Sequence, residues 1–393
     1  MSFRVLTGVE NLEVPAGGRV RAALVSNQAS VDGSLRRTAD RLSSMKGIEL
    51  KALLAPEHGM YGVEQDMVAV GDAVDAHLGM PVKSLYGGNE ETLAPAAGLL
   101  KDCDAVFVDL QDVGSRYYTF VSTLFHCMKV CAAAGPRVVV LDRPNPIGGL
   151  LVEGNGVEPR FKSFVGVHNL AVRHGMTIGE LAGMLNLEEG IGCRLEVVRM
   201  SGWSRGMPFS GTGLPWVAPS PNMPSPSTAM VYPGMCLVEG TNLSEGRGTT
   251  RPFELCGAPF IDPFAFCKEL NSLGLPGAYF RPDYFKPQFH KFSGRVCGGF
   301  QLHFTDPQLF KPYLAGVAVL AAAKRMYPDG FAWRTERYEF VSDRPAIDLL
   351  TGTDLVRKWI DEGRQLRDFR EFFEAGAEEF AQRRKQYLLY GDR

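Results

Sequence analysis

The chain has 393 residues, 45% of them hydrophobic and 22% charged, with a formal net charge of −2. That length suits two or three domains of roughly 150 residues each, and the composition is that of an ordinary globular protein. The near-neutral balance excludes the basic footprint of a nucleic-acid binder and the cationic face of a membrane-surface protein. No apolar run approaches the roughly 18 residues of a membrane-spanning helix, so no insertion into a membrane is expected. The stretch Met1-Ser2-Phe3-Arg4-Val5-Leu6 lacks the apolar core of a secretion signal. The expected compartment is therefore the cytosol for the sequence as given, or the exterior if a signal has been removed.

Near-continuous apolar runs at 21–25, 48–55, 105–110 and 137–141 predict strands buried on both faces, hence a parallel sheet. Each ends in a polar, turn-prone cluster: Ser26-Asn27-Gln28, Pro56-Glu57-His58-Gly59, Gln111-Asp112-Val113-Gly114-Ser115-Arg116, and Asp142-Arg143-Pro144-Asn145-Pro146. Helices are predicted between them at 35–45 and 119–134, the second carrying Phe120, Leu124, Met128 and Ala132 on one apolar face. Repeated βα units imply a doubly wound sheet, which delivers all four polar clusters to one carboxyl edge. A further helix at 177–187 opens on Thr177 and Glu180, the spacing of a capping box, and a strand follows at 194–198.

The tract 202–257 is rich in Pro and Gly but also holds Trp216, Tyr232 and evenly placed charges. It reads as an ordered connection closing over a site rather than a flexible linker. Beyond it, helices at 263–272, 307–327, 354–362 and 367–390 flank short strands such as 296–304. The expected organisation is an α/β sheet domain over residues 1–230 and a smaller α+β domain over 231–393, with a cleft between them. The eight cysteines form no CxxC pair and lie mostly in apolar stretches, which predicts buried, reduced thiols.

The familiar cofactor signatures are absent. No G-x-G-x-x-G follows the first strand, no G-x-x-x-x-G-K-[ST] or G-x-S-x-G occurs, and the histidines lack metal-ligand spacing. No cofactor and no metal are expected. Carboxylates, amides and arginines remain. Glu57, left at the end of a strand that Pro56 terminates, reads as a general acid or base, or else as a turn carboxylate. His58 orients it, binds substrate, or is a satisfied turn histidine; Asp112 is a second titratable candidate, or bonds its own turn.

Arg116, Arg143 and Arg247 are forks for a substrate carboxylate or phosphate, or internal ion-pair partners. Asn27, Gln111, Asn145, Asn222 and Asn242 suit sugar hydroxyls and amides, or tie down loops. Tyr117 is a stacking candidate. Glu239 and Glu245 are candidates for the second carboxylate that a glycosidase needs.

These motifs, with Ser84-Leu85-Tyr86-Gly87, His174-Gly175-Met176-Thr177, Pro219-Ser220-Pro221-Asn222-Met223-Pro224 and the run from Glu239 to Thr249, come in an order that resembles the DUF1343 family, the NamZ-type exo-β-N-acetylmuramidases. The resemblance implies a Rossmann-like N-terminal domain, a smaller C-terminal domain and an active site between them. It implies release of N-acetylmuramic acid from the non-reducing ends of peptidoglycan fragments, in cell-wall recycling, with Glu57 as general acid. A carbohydrate is then the expected partner. The residues alone leave two alternatives open, a sugar-binding protein without turnover and a hydrolase of an amide bond in the same fragments. Oligomeric state is not legible.

Overall fold

The apolar runs lack alternation because both faces of the sheet they build are covered. The computed structural model describes residues 4–13 and 18–392, so the first three residues of the stretch read for a secretion signal lie outside it. Seven strands form the main sheet: β1 (Val20–Ser26), β2 (Ile48–Ala55), β3 (Ala73–Asp75), β4 (Met80–Ser84), β5 (Ala105–Asp109), β6 (Arg137–Leu141) and β7 (Leu195–Val198), in the order β3-β4-β2-β1-β5-β6-β7. All neighbours pair parallel except β3 with β4.

Register decides which side chains face which layer. Ala22, Leu24, Leu53, Phe107 and Val139 pack with Ala39 and Leu42 of α1 (Thr38–Ser44) on one face. Ala23, Val25, Leu54, Val106 and Val138 pack on the other, with Leu124 and Met128 of α3 (Phe120–Ala134) and Ala182 of α4 (Ile178–Glu188). The short α2 (Ala97–Leu100) precedes β5. The capping box forms as its spacing predicts: the Glu180 amide donates to Thr177 Oγ1 and the Thr177 amide to Glu180 Oε2. Glu180 also pairs with buried Arg205.

After α5 (Pro226–Met235) comes a three-stranded antiparallel sheet, order β8-β10-β9, from β8 (Leu255–Ala258), β9 (Ala278–Phe285) and β10 (Cys297–Phe304). Around it lie α6 (Pro263–Ser272), α7 (Pro312–Met326), α8 (Ala346–Thr351), α9 (Leu355–Asp361) and α10 (Leu366–Arg383). Helices α5 and α7 cross at Gly234 and Gly316, where a Cβ on Gly234 would stand 1.8 Å from the Pro312 carbonyl oxygen. One apolar cluster runs from Val25 and Leu54 of the large sheet through Met235 to Val319 of α7, so both parts share a core.

Two expected helices end differently. The helix placed at 307–327 starts at Pro312, because Asp306 folds residues 306–310 into a turn by accepting from the Gln308 amide. The helix placed at 367–390 gives way after Arg383. There Arg384 is buried, donating to the carbonyls of His174 and Gly175, and Tyr390 reaches back to donate to Asp142 at 2.6 Å. All eight cysteines are free and buried. Among the described residues no helix is long and apolar enough to cross a membrane.

Candidate active site

In a doubly wound sheet the crevice opens where the chain turns back past its first strand. Here that point lies between β1 and β5, and polar side chains fill it. Asp109, at the end of β5, is fully buried and takes hydrogen bonds from Thr38 Oγ1 and from Arg143, whose Nη2 stands 2.9 Å away. Arg143 also donates to the Val31 carbonyl at 2.7 Å. Asn27 accepts from the Ala29 amide and donates to the Pro219 carbonyl, while Gln28 donates to that of Ala218. These two bonds draw the 202–257 tract across the sheet edge.

The open cleft lies one strand over, above β2. Pro56 stops the ladder, and the Gly59 amide returns to the Pro56 carbonyl at 3.0 Å. His58 takes φ 71° within this turn, a conformation uncommon for a residue with a side chain and held here by its Nδ1 donating to the Glu64 carbonyl. The turn leaves Glu57 buried, with Oε2 accepting from Thr119 Oγ1 at 2.7 Å and Oε1 from the Met67 amide at 3.3 Å. Thr119 is the residue before α3, so the helix start and the strand end meet at this carboxyl.

A cleft of about 450 Å³ opens beside Glu57. The N-terminal part supplies Glu57, His58, Asp66, Tyr117, Tyr118, Thr119, Ser220 and Asn222; the C-terminal part supplies Tyr232, Glu239, Arg247, Phe253, Tyr338 and Glu339. A second crevice of about 490 Å³, lined by Leu309, Phe310, Phe373, Glu153 and Glu374, is more apolar, and its two carboxyls are spent, Glu153 on the amides of Tyr313 and Leu314 and Glu374 on Lys311. The paired acids make the first cleft the chemical one.

Arg247 organises its floor. It donates to Glu239 at 2.7 Å and lies 3.2 Å from Asp66 and 3.3 Å from Glu245, with its guanidinium over the Phe253 ring. Burial alone would lower its pKa, but Glu239, Asp66 and Glu245 together push it up. Glu245 is held below the usual carboxylate range: burial works against ionisation, and Lys291, His290 and Arg247 overcome it. His290 is raised, chiefly by its bond to Glu245.

Glu339 stands in the opposite condition. Burial, then the nearby Glu57 charge, push its pKa well up, and among the described residues its one side-chain donor is Tyr86, 2.7 Å away. The Tyr86 hydroxyl is itself raised by burial and by both Glu57 and Glu339.

Of the residues singled out from sequence, Glu57, His58, Tyr117, Asn222, Glu239 and Arg247 line this cleft. Asn222 donates to Gln65 at 2.7 Å, and Tyr117 donates to the Pro233 carbonyl, which makes its ring a wall. Glu245 sits behind Arg247. The others lie elsewhere and serve as struts. Asp112 accepts from the Gly114 amide at 2.7 Å and faces His174 at 3.4 Å. Gln111 donates to the carbonyls of Asp112 and Pro144.

Arg116 is wholly inside, its fork spent on the carbonyls of Asn155, Leu170 and Leu350. Asn145 bridges Met176 and Ile147, and Asn242 bridges Gly330 and Ala332. With Asn27 and Arg143 at the filled switch point, none of these lines the cleft. Apart from the half-buried Asn242, each is a buried polar group that must find partners, and nearby backbone and side-chain groups supply them.

Sequence reasoning passed over Asp66, Thr119, Ser220 and Glu339 as site residues. Thr119 followed the Arg116-Tyr117-Tyr118 run and Ser220 preceded Asn222, so adjacency was a usable signal. Glu339, in Arg337-Tyr338-Glu339-Phe340, carries no pattern of its own. Tyr118, beside Ser220, lines the cleft, and burial raises the pKa of its hydroxyl.

The family model for the N-terminal part of the exo-β-N-acetylmuramidase NamZ matches residues 22–227, and that for the C-terminal part matches residues 230–390. A protein of Bacillus subtilis (strain 168), named peptidoglycan β-N-acetylmuramidase NamZ, is 43% identical over 370 residues, covering 94% of this chain and 87% of that protein. A crystal structure of a DUF1343 family protein from Bacteroides fragilis superposes with a TM-score of 0.87 at 34% identity, over 99% of this chain and 100% of that one. A second from the same organism gives 0.75 at 28% identity, over 99% of each chain.

Proposed function

The chain belongs to the NamZ family of exo-β-N-acetylmuramidases, and from that premise we propose that it cleaves terminal N-acetylmuramic acid from peptidoglycan fragments with Glu57 as the proton donor. It is a glycoside hydrolase of the exo-acting class. The observation that carries the role of Glu57 is its placement: a buried carboxyl, oriented by Thr119 and Met67, at the wall of a cleft shared by two parts of the chain.

In the reaction the carboxyl proton passes to the glycosidic oxygen as the bond from C1 to that oxygen breaks. Water then delivers hydroxide to C1 and returns a proton to the site. Residues 1–230 contribute the donor, and residues 231–393 contribute Glu239, Arg247 and Glu339. The boundary falls inside α5, which joins the two. Asn222, Ser220 and Tyr118 present the amide and hydroxyl groups suited to an acetamido group and sugar hydroxyls. Arg247 is saturated by carboxylates, so its work is to hold Glu239 and Asp66 in place rather than to grip the lactyl group.

The test is hydrolysis of a chromogenic N-acetylmuramide. Wild type is expected to release the chromophore and Glu57→Gln to be silent while keeping its fold by circular dichroism. Turnover by Glu57→Gln near the wild-type rate refutes the assignment.

A further inference from the structure

We infer that Glu339 is the second carboxyl of the reacting centre, sharing a single proton with Glu57 beside the Tyr86 hydroxyl, so that the acid is the pair rather than one residue. The inference rests on the glycosidase reading and adds to it a group brought from the other end of the chain.

Geometry carries it. Glu57 arrives on the turn after β2 and Glu339 on the loop before α8, and both line the one cleft. Tyr86 donates to Glu339 Oε2 at 2.7 Å and stands close enough to Glu57 to respond to its charge as well. Phe164 and Phe340 pack their rings against Tyr86 at 5.7 and 5.6 Å, holding the hydroxyl in place and keeping water from that side. Glu339 holds φ 49° in the left-handed region, a backbone state that a glutamate adopts only where its surroundings compel it.

Among the described residues no arginine or lysine pairs with either carboxyl, and His58, which lines the same cleft, spends its Nδ1 on the Glu64 carbonyl. The other charges near Glu339 are Glu239 and Asp66, and Arg247 is committed to both of those. Arg337 approaches through Nε, but its partner is the Glu339 backbone carbonyl, not the carboxyl. Arg334 turns to Met67 Sδ and the Arg337 carbonyl. On the Glu57 side the donors are Thr119 and Met67, both neutral. Two carboxyls in one partly desolvated site without a cation do not both ionise near neutrality. Burial and the Glu57 charge accordingly push Glu339 well above the ordinary carboxylate range.

The consequence is an acid that is loaded at the pH where the site works. When the proton goes to the leaving oxygen, both carboxyls are left ionised. Their repulsion then favours recapture of the proton that the attacking water releases, and the cycle closes without another reactant.

The experiment is the pH dependence of kcat/KM on a chromogenic N-acetylmuramide, for wild type, Glu339→Gln and Tyr86→Phe. Removing the neighbouring charge is expected to move the basic limb of the Glu339→Gln profile to lower pH by about one unit or more, with KM changed by less than about threefold. Tyr86→Phe is expected to move the same limb. A Glu339→Gln profile superimposable on wild type overturns the pairing.

Should that variant not fold, carbon-13 titration of glutamate carboxyls in the wild-type protein decides the matter. The pairing requires one signal with a midpoint well above the ordinary range that falls back in Glu57→Gln; no such signal overturns it. A wild type inactive on every muramide would instead sink the glycosidase reading, and the carboxyl titration would still report on the pair.

Discussion

Thr119 Oγ1 donates to Glu57 Oε2 at 2.7 Å, and this bond ties the start of α3 to the end of β2 across 62 residues of chain. The two elements lie on the same carboxyl edge of the sheet, so the carboxyl is aimed by backbone that the core holds rigid. Positioning of this kind is what a proton donor requires.

Thr119→Val keeps the shape and removes the donor. Loss of one hydrogen bond to a charged or charge-sharing group, about 1.5 kcal/mol, is expected to lower kcat roughly tenfold with KM little changed. Steady-state kinetics on a chromogenic muramide check it; a change in KM alone would assign Thr119 to substrate binding instead.

Arg247 balances three acids in a buried site, so removing it is expected to hurt stability before chemistry. Arg247→Met leaves Asp66, Glu239 and Glu245 facing one another with only Lys291 and His290 left to oppose them. Breaking a buried pair from one side costs about 3–5 kcal/mol, which denaturant unfolding will read. Arg247→Lys recovers only part of the loss, because an ammonium cannot serve three carboxylates in a fork.

Arg116 makes the converse case. Its guanidinium serves three carbonyls from separate segments and never meets the cleft. Arg116→Lys is expected to lower stability by roughly 2 kcal/mol and leave KM unchanged. A rise in KM without loss of stability would return Arg116 to the substrate-binding set.

Glu153 caps the first turn of α7, accepting from the amides of Tyr313 and Leu314, and burial pushes its pKa up to about 7 despite those donors. Asp142 is likewise raised by burial, to about 6. A carboxyl raised in the folded state stabilises it below the unfolded pKa and loses that contribution as pH rises through the folded value. Stability is therefore expected to fall between about pH 4.5 and 7, by about 3 kcal/mol from Glu153. Thermal unfolding across that window checks it, and Glu153→Gln is expected to flatten the slope. An unchanged slope in the variant would place the titration elsewhere.

The sheet and the turn carrying Glu57 were legible because both rest on local rules. Buried parallel strands read as unbroken apolar runs, and Pro56 with Gly59 marks where one of them stops. The edge strand β3 and its neighbour β4 were not legible, since three and five residues with several exposed or half-exposed positions make no such run. The capping box at Thr177 was readable for the same local reason. The site was readable in part. Glu57, Asn222, Glu239 and Arg247 sit in clusters whose residue types suggested chemistry, yet Arg116, Arg143 and Asn145 sit in equally suggestive clusters and act as internal braces. Which polar group faces the cleft depends on strand order, and a filled switch point between β1 and β5 cannot be seen before the chain is folded. Glu339 reaches Glu57 only through the packing of two distant segments.

The measurement closest to the central claim is incubation with a defined disaccharide bearing N-acetylmuramic acid at its non-reducing end, followed by product analysis. The wild-type protein is expected to release free N-acetylmuramic acid and the companion sugar in equal amounts, and Glu57→Gln to release neither. Intact disaccharide after prolonged incubation with wild type, or release by Glu57→Gln at a comparable rate, would contradict the account.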